Sequence, residues 1–228
     1  SVRIYIVNSN VLNAFVAGGQ NLFIHTGLLE RAEHPGQVIG VIAHETGHIA
    51  GGHLARLHQE LRSASWQAIL ALVAGLAAGL ASGDPRVGTA AMQAGQHITT
   101  RNLLQYSQNQ ESQADQMALR LLEATGQSAR GLAEFLETLR GQELLIANQD
   151  PYVRTHPLTE DRVRFVEANV RTSRNSDNPI DPRLMEMHQR MRAKLRAYLH
   201  PPARTLNTYP ASDQSLAARY ARAIVYYL

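Results

Sequence analysis

The spacing of apolar and polar residues changes several times along the 228-residue chain. At its start Ile4 and Ile6, with Val2 and Tyr5, give short period-two stretches rich in β-formers, which predict a strand. A second run, VLNAFVA, ends at Gly18-Gly19 and is followed by NLFIHT. That layout predicts a hairpin about AGGQN. From Gly27 the character turns helical. Pro35 suits the first turn of a helix, and Val38, Ile39, Val41, Ile42 and Ile49 are dense enough to bury it. Gly51-Gly52 reads as its stop. Asp84-Pro85 breaks a later run, and helical patterns then continue to about Leu145 with an interruption at Gly126. ANQDPYVRTHPLT reads as a loop, after which Thr159 caps the amphipathic TEDRVRFVEANV, with acids in its first turn.

Beyond this point the polar RTSRNSDNPIDP reads as a linker and domain boundary. One helix is expected over about 183 to 199, then the Pro-rich HPPARTLNTYPAS, then a last helix, QSLAARYARAIVYYL. Tyr220, Ile224 and Tyr227 lie along one side of that helix, as if a partner helix should follow. The expected fold class is mainly α (α+β). One domain spans residues 1–170 and a second helical segment 171–228.

Residues 63 to 83 carry no charge. Length alone would allow a membrane span, but the stretch is mostly Ala, Gly and Ser, and Gln67 interrupts it. Gly75, Gly79 and Gly83, at four-residue spacing, permit close helix packing. A packed or membrane-surface helix is the favoured reading, ahead of a span or a flap.

Composition narrows the function classes. The chain is 44% hydrophobic and 18% charged, with a net charge of +3, and all of its basic residues except Lys194 are arginines. No basic stripe with interleaved aromatics is present, so nucleic acid is not an expected partner. The absence of cysteine removes disulfides, thiolate metal sites and thiol nucleophiles together. The opening SVRIYIV is strand-like, without a charged or apolar leader, and reads as a trimmed start.

The chemistry concentrates in HETGHIAGGH, residues 44 to 53. On a helix, His44 and His48 share a face and can bind one metal ion from consecutive turns. Glu45 can reach a metal-activated water and serve as general base in attack on a peptide carbonyl. Such a site needs a third protein ligand and an open position. In HExxHxxGxxH that ligand is a third histidine, but here the position is Leu54, and His53 comes one residue early. If the helix continued, His53 would point roughly 140° away from His48. His53 and His58 therefore read as surface or structural residues. The competing candidate is Glu111 in NQESQADQMALRLL. Glu111 and Asp115 share a helix face, so one could ligate while the other accepts the free N–H of a ligating histidine.

HETGH, followed at this distance by ESQAD and then THPLTEDR, resembles the gluzincin zinc peptidases of the HtpX and BepA type. NAFVAGGQNLFIHTGLL is similar to the hairpin before their catalytic helix, and AARYARAIVYYL is similar to the first helix of a tetratricopeptide repeat. The likeness covers residues 1 to about 170. Gln113 departs from the family's ExEAD spacing, at a position to which neither ligation nor orientation was assigned.

The resemblance implies a zincin-like domain with a small β-hairpin or sheet at its cleft. It implies one Zn2+ held by His44, His48 and Glu111, with Glu45 as base and Asp115 as orienter. His156 would approach the metal as a removable fourth ligand or polarise the scissile carbonyl, with Arg162 nearby. Asn13, Ala14 and Phe15 would belong to the strand to which an extended substrate adds. The implied protein is a metalloendopeptidase of the bacterial periplasm, near a membrane. It would act on misfolded or stalled envelope proteins, with outer-membrane assembly partners bound through further repeats. The rival readings are a chaperone or scaffold with a plugged or structural zinc, and an aminopeptidase.

Overall fold

A computed structural model describes residues 1–82, 85–145 and 156–228. Gly83, the break at Asp84 and the loop reading over 147–155 lie outside the described residues.

The alternating start forms β1 (Arg3–Val7), and AGGQN joins β2 (Ala14–Ala17) to β3 (Asn21–His25) as expected. β2 and β3 are antiparallel, with Ala17 opposite Asn21. β1 pairs with β3 in parallel, so the order is β1-β3-β2 and β2 is an edge strand. Leu22 and Ile24 turn one face of β3 into the core, while Ile4 and Ile6 of β1 are exposed.

The helices follow the sequence pattern closely. α1 (Thr26–Arg31) leaves the sheet, and α2 (Pro35–Gly51) starts on Pro35. α3 (His53–Ser82) runs through the charge-free stretch, and α4 (Pro85–Ala124) packs along it. Exposed Leu70, Leu72, Val73 and Leu104 lie on this pair, and no described helix is long and apolar enough to cross a membrane. α5 (Arg130–Leu145) and α6 (Glu160–Thr172) complete the group around α2. The fold is therefore mainly helical with one small sheet.

α2 is the central element, packed on β2, α4 and α5. Leu22, Leu28, Val41, Leu132, Leu136, Leu139 and Val166 are almost fully buried between these elements. Burying each leucine or valine stabilises the fold by about 1.5–3 kcal/mol, and the resulting rigidity fixes the helix that carries HETGH.

The polar stretch after α6 is pinned rather than loose. Ser128 Oγ and Arg130 Nε both donate to the Ser176 carbonyl, at 2.8 and 2.9 Å, and Asn178 Nδ2 donates to the Gly126 carbonyl at 2.9 Å. Beyond it come α7 (Pro182–Leu199), α8 (Pro202–Thr208) and α9 (Leu216–Tyr227). The Pro-rich segment thus contains a short helix. Pro202 sits in its first turn, where the missing N–H has no partner to lose. Small residues, Ala193, Ala217 and Ala221, let α7 and α9 pack closely. α7 is tied back to the end of α1 by His188 Nε2 on the Ala32 carbonyl at 2.9 Å and by Arg192 Nε donating to the Glu30 carbonyl at 3.1 Å.

Candidate metal centre

α2 presents His44 and His48 from consecutive turns, their rings edge to face with centroids 4.8 Å apart. The two Nε2 atoms converge to 3.1 Å. α4 crosses beside them, and its approach depends on Gly47: a Cβ there would lie 2.6 Å from the Ala114 carbonyl oxygen. With no side chain in the way, Glu111 and Asp115 reach the histidines from one face of α4. Glu111 Oε2 is 3.3 Å from His44 Nε2, and Glu111 Oε1 is 3.2 Å from His48 Nε2. Asp115 Oδ1 accepts from His44 Nδ1 at 2.8 Å.

The third contributor is the start of α6. Thr159 caps it by accepting from the Arg162 backbone N–H, which turns the Arg162 side chain inward to full burial. Its guanidinium donates to the Asp115 carboxylate, pairs with Glu111 Oε2 at 2.9 Å, and donates to the Pro157 carbonyl. Just ahead of it His156 is buried, with Nδ1 3.2 Å from Glu111 Oε1 and Nε2 3.4 Å from Glu45 Oε1. Glu45 is fully buried, and among the described residues neither of its carboxylate oxygens has a hydrogen-bond partner.

This donor set fits a metal ion. His44, His48, Glu111 and His156 each offer one ligand atom, all within 4.8 Å of one another. A tetrahedral ion bound at about 2.0–2.1 Å holds its ligand atoms roughly 3.3–3.4 Å apart, and the three spacings among His44, His48 and Glu111 are 3.1–3.3 Å.

The buried groups shift one another's protonation. Burial opposes a charge on His44, but its hydrogen bonds to Asp115 and Glu111 override it and raise its pKa to about 10. Burial dominates at His48 and lowers its pKa to about 4, helped by the charges of His44 and His156. Burial also raises the Glu45 carboxyl. Glu111 and Asp115 are held below the usual carboxylate range despite burial, by His156 and by Arg162 respectively, with the neighbouring histidines adding to both.

Thus His44, Glu45, His48, Glu111, Asp115, His156 and Arg162 come together from three helices and a turn. Asn13, Ala14 and Phe15 lie outside this cluster, at the start of the edge strand packed on α2. The Ala14 side chain is fully buried, so only its backbone could meet a substrate. Phe15 stacks on Phe23 at 5.2 Å.

Of the two readings of His53, surface or structural, the structure takes the second: it is buried, with Nδ1 2.9 Å from His48 Nδ1. The helix does not continue through it, because Gly52 takes a left-handed conformation (φ 63°) and α3 starts afresh. The pair Gly51-Gly52, which begins three residues after His48, was the available signal. Gln110, another buried residue that sequence reasoning passed over, donates to the His53 carbonyl at 3.2 Å. The His58 side chain lies outside what is described.

Comparisons with known proteins place the chain in a family. The family model described as peptidase family M48 matches residues 2–170. A β-barrel assembly-enhancing protease of Yersinia pestis is 26% identical over 215 residues, 93% of this chain and 40% of that protein. Its namesake in Escherichia coli (strain K12) is 28% identical over 179 residues, 77% of this chain and 35% of that one. The mitochondrial metalloendopeptidase OMA1 of Arabidopsis thaliana is 29% identical over 174 residues, 75% of this chain and 32% of that one. The chain spans 40% or less of the length of these relatives.

Proposed function

Because the chain belongs to peptidase family M48, we propose that it is a zinc-dependent endopeptidase with His44, His48 and Glu111 as the metal ligands. The observation that carries this reading is the convergence of those three side chains at 3.1–3.3 Å beside a buried carboxylate, Glu45, that lacks a hydrogen-bond partner among the described residues. Two nitrogens and one oxygen at this spacing suit zinc. A bound ion would polarise a peptide carbonyl and acidify a water molecule.

The chain's own residues do the rest. Glu45 takes the proton of the attacking water and delivers it to the leaving amine; burial, which raises its pKa, makes it a better base. Asp115 accepts from His44 Nδ1, which leaves Nε2 bare for the ion. Arg162 neutralises Asp115 and Glu111 and keeps both carboxylates in place. An extended substrate adds to the outer edge of β2 along Asn13, Ala14 and Phe15, by backbone hydrogen bonding.

The relatives' names support a role in envelope protein quality control, and we extend that role to this chain: misfolded or stalled envelope proteins as substrates, in the bacterial periplasm, with the membrane surface close by. Residues 1–170 form the protease domain. Residues 171–228 begin a tetratricopeptide-repeat region through which outer-membrane assembly partners bind. The Glu45→Gln variant tests the mechanism. It should bind zinc as the unmutated protein does while failing to cleave an unfolded protein such as casein; full cleavage would sink the assignment.

A second reading, of a plugged site, rests on His156, whose ring lies 3.2 Å from Glu111 and 3.4 Å from Glu45. A fourth protein ligand closes a zinc site. Cleavage by His156→Ala but not by the unmutated chain would identify a regulated enzyme. No cleavage by either would favour the scaffold.

A further inference from the structure

His44 has a carboxylate behind it. His48 has only another histidine, and that residue has no place in the mechanism above. The seat of His53 is built from three sides. Gly52 reverses the chain at the end of α2, its N–H bonding to the carbonyls of His48 and Ile49, and swings the His53 ring back under the last turn. The ring leans edge to face on His48, with centroids 4.9 Å apart at 81°. A Cβ on residue 51 would lie 2.2 Å from His53 Nε2, so any side chain there would push the ring out of this position. From α4, Gln110 donates to the His53 carbonyl and fixes its backbone, and the exposed Gln113 is a polar neighbour of the same ring.

Counting protons sets the direction of the contact. Two Nδ1 atoms 2.9 Å apart share one hydrogen, so one ring donates and the other accepts. His48 Nε2 faces Glu111 Oε1 and His44 Nε2 at 3.2 and 3.1 Å, and a nitrogen that ligates there carries no proton. The His48 proton must then sit on Nδ1, which makes His53 Nδ1 the acceptor.

We infer that His53 is a positioning residue for the metal centre: it accepts the Nδ1–H of His48 and holds that ring with Nε2 toward Glu111 and His44. This role rests on the metal-ligand reading of the preceding subsection. It also explains why the acceptor is neutral. Glu45, Glu111 and Asp115 already place three carboxyl groups around the histidines, and a fourth would add like charge to a buried site. His48 is thus oriented without further negative charge, while His44 uses a carboxylate that Arg162 neutralises.

The test compares His53→Asn, His53→Leu and His53→Ala in the intact protein. Zinc affinity is read by competition with a chromogenic chelator, and ligand geometry by the visible spectrum of the cobalt-substituted protein. The Asn Oδ1 stands as many bonds from the backbone as His Nδ1, so it can accept the same proton. Leucine fills the seat without an acceptor. We expect Leu and Ala to weaken zinc binding by about 10- to 100-fold and to shift the cobalt spectrum, and Asn to restore both. If Ala fails to fold, the Asn and Leu pair decides. The role is overturned if Leu matches the unmutated protein, or if Asn is as impaired as Leu, which would make the contact one of packing. Absence of zinc uptake by the unmutated protein overturns the metal reading, and this role with it.

Discussion

Arg162 grips Asp115 with two nitrogens, Nε at 2.7 Å from Oδ2 and NH2 at 3.0 Å from Oδ1, and both side chains are buried. The pair joins α4 to α6 directly behind His44. Removing Arg162 takes the cation from two buried carboxylates, Asp115 and Glu111, and leaves Asp115 with the His44 N–H. Arg162→Met should therefore destabilise the protein by about 3–5 kcal/mol, read from the midpoint of urea unfolding. Arg162→Lys keeps the charge but loses the fork, so an unchanged midpoint in the lysine variant would show that the two-pronged geometry is unimportant.

Gly47 sets how closely α2 and α4 approach. In Gly47→Ala the new methyl meets the Ala114 backbone at 2.6 Å, and backbone cannot swing aside as a side chain can. The helices must separate, at a cost of about 1–3 kcal/mol. Glu111, one turn from Ala114, would retreat from the histidines. Bound zinc per protein, measured after gel filtration, should fall together with stability.

An ion that binds only the folded chain stabilises it by mass action, by about 2.7 kcal/mol at a hundredfold excess over its dissociation constant. Treatment with a chelator should lower the thermal midpoint, and zinc should restore it. Glu45→Gln should keep that thermal response, because Glu45 is not among the proposed ligands. Glu111→Gln should lose most of it.

His188 ties α7 to the end of α1 through the Ala32 carbonyl. Burial lowers its pKa below 6.5, outweighing the bond to Ala32, with Arg192 and His34 adding to the effect. The folded state thus binds fewer protons than the unfolded state around pH 6, and stability must fall as pH drops through the ordinary histidine range. Replacement by Asn should remove this part of the acid sensitivity. A pH profile of the unfolding midpoint identical for both proteins would contradict it.

Much of the site was legible because its signals are local. HETGH places the two proposed ligands and the proposed base on one stretch of helix by periodicity alone. Glu111 and Asp115 announce themselves as an i, i+4 acidic pair above an apolar face. His156 and Arg162 drew notice only through family likeness, since a histidine before proline and an arginine in a first turn carry no period. The contact of His53 with His48 was not legible because a helical extrapolation assumes the helix continues, and Gly52 ends it. The parallel pairing of β1 with β3 was equally hidden: alternation predicts a strand but does not name its neighbour. The same holds for Gly47, whose meaning lies in what crosses it.

The four groups of the cluster are spread from residue 44 to residue 156, and the arginine behind them follows at 162. During synthesis the histidine pair emerges more than sixty residues ahead of Glu111. A growing chain can therefore coil α2 early and still lack a working centre until α4 has crossed it and α6 has docked. The order of the chain thus sets an order of assembly: the histidine pair is in place first, and two later helices must dock before the cluster can close.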